Sequence, residues 1–559
     1  MKRTLSKLTE QQFDVLIVGG GIHGATAAFE TSRAGFKTAL IEKEDFSHAT
    51  SANSLKIIHG GFRYLQHLNF KRMRESIRSR RELMRVAPNV VKKLPCIMPT
   101  YGHGLKGKEI LSCALFINDL ISYDRNYLIR PDNHIPSSMI LTKEECLKRI
   151  KNIHQTNCNG AAQWYDAIAT NTERLTLNFI RHAVQYGACV ANYVKSLNAI
   201  VDNSQVVGVT AKDYFSDEEF DIYSKTVVDA TGPWSGKNLI PSDIRNIRKR
   251  EWAKAINIIV KKEIFPGVAV GLEGRSEYRD QDAVLKRQHR LYFFVPWRGY
   301  TMIGTSYKKA NCKPDDFMVA VDDIREMIDE INGIYPAAEI SDDDVTFYHG
   351  GMLPIKDGGS NAATNIQLDK TSRIIDHEKK DGIKALLSII GVKYTTAPQT
   401  AKKVVAYISK LIKSPVKINS PQLTDNFHDD SDLIDRSSQV ISGDSDETFL
   451  KHLIENYGNR YGKLLKYIDE EPELARWVSL NPPVTAAEII FAVREEMALK
   501  LSDVAFRRTG IATAECPSTE ILADIVEIMG KEYGWDEKRK KKEIEEVTCR
   551  FALIDELRS

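Results

Sequence analysis

The chain has 559 residues, of which 42% are hydrophobic, 8% aromatic and 27% charged. These proportions are typical of globular domains and exclude a disordered, collagenous or disulfide-stapled protein. The 78 basic and 75 acidic residues leave a formal net charge of +3, which gives no overall attraction to nucleic acid.

The cysteines and the apolar segments limit where the protein works. The eight cysteines form no CxxC pair and no cluster with histidines, which is typical of a reducing cytosol and predicts no metal site. The N-terminus lacks a signal-peptide pattern, and no run of about 18 apolar residues predicts a transmembrane helix. We expect a cytoplasmic protein, with peripheral attachment to the inner face of the cytoplasmic membrane left open.

The first elements predict a βαβ unit. The apolar run at residues 13–18 predicts a buried strand, and the alanine-rich residues 22–34 predict a helix. Residues 37–41 predict a second strand, and Glu42 stands at its end.

The turn between the first strand and the helix carries a dinucleotide-binding pattern. Gly19, Gly21 and Gly24 form G-x-G-x-x-G, which permits a tight turn, close approach of a pyrophosphate and close helix–strand packing. The helix N-terminus offers free N–H groups to phosphates, and Glu42 can accept hydrogen bonds from a ribose. The complete strand–turn–helix–strand–acid context favours this site over a purely structural glycine turn.

The glycine motif alone does not distinguish FAD from NAD. The apolar segment at residues 227–232 (VVDATG) is typical of a second wall of the nucleotide site in two-dinucleotide-binding flavoproteins. The motif also begins within the first twenty residues, with no preceding catalytic domain. Both features favour FAD, and an NAD enzyme is the alternative.

The rest of the chain continues with alternating signals. Residues 70–86 predict a basic helix, and residues 425–446, rich in Asp and Ser, predict a linker, after which the periodicity is helical. Further helices are predicted at 174–186 and 398–411, and further strands at 225–230, 256–260, 291–296, 301–304 and 385–390.

The segment from Lys43 to Phe70 closely resembles the FAD-dependent glycerol-3-phosphate dehydrogenases and oxidases. Further resemblance lies in ATGPW at 230–234, in FFVPW followed by IGT at 293–305, in GVKYTT at 391–396 and in residues 495–512. The matching residues of the first segment are Asp45, Phe46, Ala49, Thr50, Ser51, Ser54, Lys56, Ile58, His59, Gly60, Gly61, Arg63, Tyr64 and Leu65.

The resemblance spans about residues 13–545 and implies an α/β fold. We expect a two-dinucleotide-binding, Rossmann-like FAD domain with an inserted antiparallel β-sheet substrate domain and a C-terminal all-α domain. The expected boundaries are residues 10–75, 150–245 and 356–412 for the FAD domain, 76–149 and 246–355 for the substrate domain, 413–446 for the linker and 447–559 for the helical domain.

The resemblance also implies a site. In this family a hydride passes from a secondary alcohol carbon to the flavin, while a base removes the hydroxyl proton. The implied catalytic residues are His59, Arg63, Tyr64, His349, Arg373 and Lys393. The implied FAD-binding residues are Gly19, Gly21, Ile22, His23, Gly24, Glu42, Lys43, Thr50, Ser51, Ser54, Lys56, His59, Gly61, Val194, Ala230, Thr231, Gly232, Gly391, Lys393, Tyr394 and Thr395.

Three positions depart from the family pattern. Leu353 and Pro398 stand where arginines are expected, and Asn257 stands where a histidine near the flavin is expected. Losing such an arginine removes charge-assisted hydrogen bonds of about 1.5–3 kcal/mol each. His349 or Lys356 could take over phosphate binding, or the substrate could differ. The catalytic base is left open between His59 and His349.

Two basic runs are candidate binding sites for anionic partners. Residues 71–85 and 538–542 are rich in Lys and Arg, which fits a solvated helix face or attachment to anionic lipid. No nucleic-acid motif accompanies them. We expect electrons to pass to a quinone or to oxygen, and a homodimer is compatible with the sequence.

Three functions are compatible with the sequence. The first is oxidation of glycerol-3-phosphate, a phosphorylated polyol, to dihydroxyacetone phosphate. The second is FAD-dependent oxidation of another polyol, hydroxy acid or amine on the same scaffold, which Leu353, Pro398 and Asn257 favour. The third is a catalytically silent flavoprotein, against which the retention of Arg63, Tyr64, Arg373 and Lys393 argues.

Overall fold

The computed structural model describes residues 1–102, 107–240, 250–277, 289–356, 366–413 and 444–559. Two large sheets organise these residues. The predicted first strand and helix form at Val15–Val18 and Ile22–Arg33, and the second strand at Thr38–Ile41. All four residues in each of these strands are buried, as expected for a parallel sheet with both faces covered.

The first sheet has six strands, and only its edge strand Arg373–Asp376 runs antiparallel to its neighbour. Helix Ile22–Arg33 packs against helices Thr172–Gln185 and Ala397–Leu411. The strand order is Arg373–Asp376, Leu386–Ile390, Val227–Asp229, Val15–Val18, Thr38–Ile41 and Cys189–Ala191.

The second sheet has nine strands and is antiparallel except where Ala269–Glu277 runs parallel to Val91–Tyr101. Met139–Leu141 pairs beside the main path. The order along the path is Val345–Pro354, Trp252–Val260, Tyr300–Ala310, His289–Trp297, Ala269–Glu277, Val91–Tyr101, Cys158–Ala169 and Ile57–Ile58. Cys158–Ala169 and Ile57–Ile58 thus lie in this sheet, although they fall within segments that the sequence assigns to the FAD domain.

Smaller elements surround the two sheets. Three antiparallel strands, Val194–Asp202, Gln205–Asp213 and Glu219–Tyr223, form a separate layer. Helix Phe70–Val86 has the predicted bounds. The remaining α-helices before residue 414 are Ser6–Thr9, Lys108–Ile121, Lys143–Arg149, Val321–Ile334 and His377–Asp381.

The C-terminal region is helical, as the sequence predicts, with one small hairpin. The hairpin, Trp477–Leu480 with Pro483–Thr485, buries the β-branched Val478 and Val484. Of the predicted linker, residues 414–443 lie outside the described residues, and residues 444–446 already belong to a helix. The helices are Asp444–Tyr457, Tyr461–Glu470, Ala486–Glu496, the π-helix Asp503–Arg508, Thr519–Tyr533, Glu537–Thr548 and Ala552–Arg558.

Candidate functional site

A cavity of about 1550 Å³ extends from the carboxyl ends of the six-stranded sheet to the nine-stranded sheet. Parallel sheets bind ligands at this edge, where strands of the two halves diverge. All of the predicted cofactor-binding residues line the cavity except Gly24, and of the predicted catalytic residues His59, Arg63, Tyr64 and Lys393 line it.

The glycine turn brings backbone very close to its neighbours. Gly19 has φ +109°, and a Cβ there would lie 2.6 Å from the carbonyl oxygen of Ala230. A Cβ on Gly24 would lie 1.8 Å from the carbonyl oxygen of Gly19. Gly24 therefore lies behind the cavity wall, in the helix–strand contact that the motif predicts for its last glycine.

The loop after the second strand folds back over this turn. Glu42 accepts hydrogen bonds from the N–H groups of Gly20 (2.6 Å) and Glu44 (3.0 Å). Burial raises the pKa of the Glu42 carboxyl to about 7. Ser51 Oγ accepts a hydrogen bond of 2.9 Å from the N–H of Ile22, the first residue of the helix. The Ser51 hydroxyl thus lies at the helix N-terminus, where an anion is most favourably bound.

The opposite wall comes from distant parts of the chain. Val194, Ala230, Thr231 and Gly232 line the cavity, and Asp229 fixes their turn by accepting from the N–H (3.0 Å) and the hydroxyl (2.6 Å) of Thr231. This is the second nucleotide wall that the VVDATG segment predicts.

His23 and Gly391 lie in close contact in the cavity wall. A Cβ on Gly391 would lie 2.2 Å from the His23 ring. Burial lowers the pKa of His23 to about 4, so the ring is neutral, and among the described residues its Nδ1 has no hydrogen-bond partner. An orphaned buried nitrogen of this kind lacks a polar group that a ligand can provide.

A buried carboxylate holds His59. Asp166 interacts with His59 Nδ1 (3.1 Å) and accepts from the N–H of Gly60 (2.6 Å), Trp164 Nε1 (3.2 Å) and Arg80 (2.9 Å). Burial opposes the charged form, but the His59 and Arg80 contacts hold the pKa of Asp166 at about 2. Because Asp166 is ionised, Nδ1 of His59 carries the proton, and Nε2 is left as the basic atom.

Lys393 and Tyr64 form a contact within the cavity, although 329 residues separate them. The Lys393 ammonium donates a hydrogen bond to the Tyr64 hydroxyl and lies 4.3 Å from the centre of the Tyr64 ring. Arg63 is exposed toward the same space. A cation, a phenol and a guanidinium therefore line the same cavity as His59.

His349 and Arg373 are not among the residues that line the cavity. The His349 ring is 2% exposed, its Nδ1 contacts the carbonyl oxygen of Ser54 at 3.2 Å, and burial lowers its pKa to about 3. Arg373 binds the Asp369 carboxylate at 2.5 Å, and it is Asp369 that lines the cavity. Of the two candidates for the base, His349 is thus buried and is not among the lining residues, whereas His59 lines the cavity.

Other predicted residues take structural contacts. Lys56 is 1% exposed and donates to Thr172 (3.0 Å) and Glu173 (3.2 Å). Tyr394 donates to the carbonyl oxygen of Thr172 at 2.8 Å, and burial raises its pKa. Lys43 stacks 3.9 Å from the centre of the Trp234 ring.

Several polar side chains that line the cavity were not predicted from the sequence. Asp166 lies in strand Cys158–Ala169, outside every motif, and no local signal marks it. Lys370, His67 and Arg290 also line the cavity, with Lys370 Nζ 3.2 Å from His67 Nε2. Leu353 and Asn257 line it at the departing positions, and the Asn257 amide oxygen accepts from Thr305 at 2.7 Å.

The residues present fit a dinucleotide. The glycine turn brings Gly19, Gly21 and the helix N-terminus to the cavity wall, Glu42 lines the same cavity, and the His23 ring offers an unsatisfied buried nitrogen to a ligand. Fold and cavity together define a flavoprotein of the two-dinucleotide-binding class.

Comparison with known proteins places the chain within that class. Residues 14–407 match the family described as FAD dependent oxidoreductase, and residues 419–540 match the C-terminal domain of alpha-glycerophosphate oxidase. The chain belongs to the FAD-dependent oxidoreductase family, and its cofactor is FAD.

Individual relatives cover nearly the whole chain. It is 29% identical to glycerol-3-phosphate dehydrogenase of Synechocystis, over 97% of each chain, and 25% identical to aerobic glycerol-3-phosphate dehydrogenase of Bacillus subtilis, over 98% and 96%. The fold is similar to that of glycerol-3-phosphate dehydrogenase of Bacillus halodurans complexed with FAD, with a TM-score of 0.72, 22% identity, and 98% and 96% of the chains covered.

Proposed function

We propose that the protein oxidises glycerol-3-phosphate at its secondary alcohol and forms dihydroxyacetone phosphate. The observation that carries this proposal is the contact between Lys393 and Tyr64 within a cavity that Arg63 and His59 also line. The two full-length relatives bear the name of this activity, and their coverage leaves little of the chain unaccounted for.

Bound FAD supplies the acceptor for a hydride. The chain's own part is to remove the hydroxyl proton and to stabilise charge. His59 Nε2 accepts the proton of the secondary hydroxyl while Asp166 holds Nδ1–H and stabilises the imidazolium that forms. The carbon–hydrogen electron pair leaves as hydride, so the alcohol loses two electrons and becomes a ketone.

Lys393 and Tyr64 polarise the reacting oxygen. The ammonium donates to the phenol, which makes the Tyr64 hydroxyl a stronger donor toward the substrate oxygen. The same cation stabilises negative charge that develops beside it. Both groups approach from fixed elements, one before helix Phe70–Val86 and the other after strand Leu386–Ile390.

Arg63 is our proposed phosphate ligand, with Lys370, His67 and Arg290 as further cationic or hydrogen-bonding groups in the cavity. A guanidinium can bind a phosphate through two parallel hydrogen bonds. These residues supply the positive charge that the arginine expected at position 353 would provide.

We further propose that a quinone accepts the electrons at a membrane surface, with oxygen as the alternative. The residues that line the cavity include the apolar Met98, Leu111 and Ala114. Leu111 and Ala114 belong to helix Lys108–Ile121, whose other face exposes Phe116 and Leu120. Every helix in the described part of the chain is too short or too polar to span a membrane.

The basic runs contribute unequally to such attachment. In helix Phe70–Val86, Arg74 is paired with Asp124 at 2.7 Å and Arg80 with Asp166, whereas Lys71 and Arg78 are exposed. In the second run, Lys540 is paired with Glu527 at 2.8 Å and Arg539 with Glu543. Lys538, Lys541 and Lys542 of the second run are also exposed, so ion pairing does not separate the two runs. We assign the lipid contact to the first run because Arg74 donates to the carbonyl oxygen of Ile121 (2.9 Å), the last residue of helix Lys108–Ile121.

The second candidate substrate is a different polyol, hydroxy acid or amine. Leu353 lines the cavity without charge, and Asp369 already binds Arg373. Both observations reduce the positive charge available to a phosphate.

Anaerobic mixing with substrate distinguishes these functions. The oxidised holoenzyme is yellow, and glycerol-3-phosphate should bleach it within seconds. Bleaching by another alcohol or by an amine, but not by glycerol-3-phosphate, would select the second candidate. An enzyme that no substrate bleaches, although dithionite does, would be a silent flavoprotein and would contradict the proposal.

A further inference from the structure

The C-terminal region contacts the FAD site through a buried ion cluster. Asp45, which follows Glu42 by three residues, is completely buried. Its two oxygens accept from Arg507 Nε (2.6 Å), from both terminal nitrogens of Arg508 (2.7 and 2.8 Å) and from Asn192 (2.9 Å). None of residues 499–512, all of which the structure describes, lines the cavity.

Asp45 lies in the loop that covers the glycine turn. On one side of it, Glu42 binds the N–H of Gly20, and on the other the N–H of Ser47 donates to the carbonyl oxygen of Gly20 at 3.1 Å. Glu42 and Ser47 both line the cavity. A movement of Asp45 therefore displaces residues on both sides that form the wall around the dinucleotide.

The same C-terminal segment also holds the opposite wall. The Asn192 side chain donates to the carbonyl oxygen of Met497 at 2.9 Å, and the Tyr193 hydroxyl donates to Asp503 at 2.6 Å. The next residue, Val194, lines the cavity and donates its N–H to the carbonyl oxygen of Glu42 at 2.8 Å. The 42–47 loop and residues 192–194, which form the two walls of the nucleotide site, thus both contact residues 497–508.

The arginines are themselves fixed. Arg507 also binds Asp503 at 2.6 Å, and Arg508 donates to the carbonyl oxygen of Glu496 at 2.9 Å. Burial disfavours the ionised form of Asp45, but the two guanidinium groups hold its pKa well below the usual range. A buried carboxylate that loses such partners is strongly destabilised, so the loop cannot retain this conformation without them.

We propose that Arg507 and Arg508 are positioning residues for FAD: they hold Asp45, and through it the 42–51 loop, in the conformation that binds the nucleotide half of the cofactor. The proposal rests on the FAD site described above and is independent of the substrate. The C-terminal region is then a required part of the cofactor site, although it contributes none of the lining.

Hydrogen–deuterium exchange on the wild-type protein tests this without a substitution. Binding is reciprocal, so if residues 499–512 support FAD, then FAD must stabilise residues 499–512. We expect FAD to slow amide exchange in peptides covering both 42–51 and 499–512. Slower exchange at 42–51 alone, with 499–512 unchanged, would overturn the proposal.

An Arg508→Lys variant tests it by affinity. Lysine keeps the charge but loses the paired hydrogen bonds, so FAD titrated into stripped protein should bind about tenfold or more weakly. The matched control is Arg298→Lys, which alters another arginine that contacts the same segment, at Gly510 and Thr513 (both 3.2 Å), but not Asp45. Equal weakening in both variants, at equal melting temperatures, would overturn the proposal.

These experiments separate two kinds of failure. If the wild-type protein bound no FAD, the proposed function would fail before either variant was compared. If the wild-type bound FAD but no substrate bleached it, the exchange and titration results would still decide the role of Arg508.

Discussion

The proposed role of Arg63 as the phosphate ligand can be tested by substitution. An Arg63→Ala variant should lose about 10- to 100-fold in kcat/KM for glycerol-3-phosphate, because charge-assisted hydrogen bonds contribute about 1.5–3 kcal/mol each. The measurement is the rate of flavin bleaching against substrate concentration. Glycerol, which lacks the phosphate, serves as the comparison, and an equal loss for both substrates would contradict the phosphate role of Arg63.

Asp166 contacts His59 Nδ1 at 3.1 Å, and we propose that it orients the ring. An Asp166→Asn variant should slow flavin reduction by about 10²–10⁴-fold, because His59 loses both its fixed tautomer and the partner of its imidazolium. The control Trp164→Phe removes one donor to Asp166 and leaves the His59 contact. Equal slowing in both variants would contradict the role of Asp166 in positioning His59.

Individual residues differ in how far the sequence predicts them. The motif residues Gly19, Glu42 and Ser51 can be placed because they belong to one continuous segment whose strand–turn–helix–strand order is visible in the sequence. His59 and His349 look alike in sequence, and only tertiary packing separates a ring in the cavity from one buried behind it. Asp166 could not be predicted because its role depends on pairing with residues about 100 positions away.

The contact between the first helix and its strand depends on Gly24. A Cβ in a Gly24→Ala variant would lie 1.8 Å from a backbone oxygen, so the helix must move away from the turn. We expect unfolding free energy to fall by about 1–3 kcal/mol, the usual cost of overpacking, together with weaker FAD binding. Thermal denaturation and FAD titration measure the two effects.

Gly462 provides the matched control for that substitution. It lies in helix Tyr461–Glu470, and a Cβ there would have no neighbour within 4 Å. Gly462→Ala should leave FAD binding unchanged and stabilise the helix by up to about 1 kcal/mol. Similar losses of FAD binding in both variants would contradict the packing role of Gly24.

Helix Lys108–Ile121 carries the proposed lipid contact. Phe116 and Leu120 are 71% and 64% exposed, and burying each in a lipid surface should contribute about 1.5–3 kcal/mol. A Phe116→Ser, Leu120→Ser double variant should therefore bind vesicles containing phosphatidylglycerol at least about tenfold more weakly in a sedimentation assay. Met318→Ser alters an equally exposed residue elsewhere and should bind as the wild type does. No wild-type binding at low salt would contradict the membrane proposal.

Short buried strands were predictable as elements, and parts of three long strands of the second sheet were predicted at 256–260, 291–296 and 301–304. Residues 15–18 form a continuous apolar run, and residues 386–390 form one that only Ser388 interrupts, which indicates burial on both faces. Strand Cys158–Ala169 mixes Gln, Tyr and Asp with alanines, so no periodicity marks it, and it is defined by pairing with three other strands. Helix Lys108–Ile121 was missed because its apolar residues lie on both faces.

The stability of the whole molecule should fall in acid because several titratable groups are buried within it. The pKa values of His23, His48 and His349 are lowered to about 4, 3 and 3 by burial, so the unfolded chain binds protons at these sites from about pH 6.5 downward before the folded chain does. Glu42, with a pKa raised to about 7, acts in the opposite direction, and so do Glu30, Glu44, Asp503 and Glu543, whose pKa values burial raises. The loss of stability that we expect in acid therefore depends on the three histidines together with the carboxyls whose pKa values are lowered.

Below about pH 4, protonation of the ionised carboxyls adds to this loss, because Asp166 and Glu496 each have a pKa lowered to about 2 in the folded state. We therefore expect the melting temperature of the FAD-free protein to be highest near pH 7 and to fall continuously from pH 6.5 to pH 3. Scanning calorimetry across this range measures it. A His349→Gln variant should show a shallower fall between pH 6.5 and 4, because one of the three buried rings is removed, whereas His154→Gln, at an exposed position, should follow the wild type. A melting temperature that stays constant from pH 6.5 to pH 4 would mean that these histidines are not buried as neutral rings.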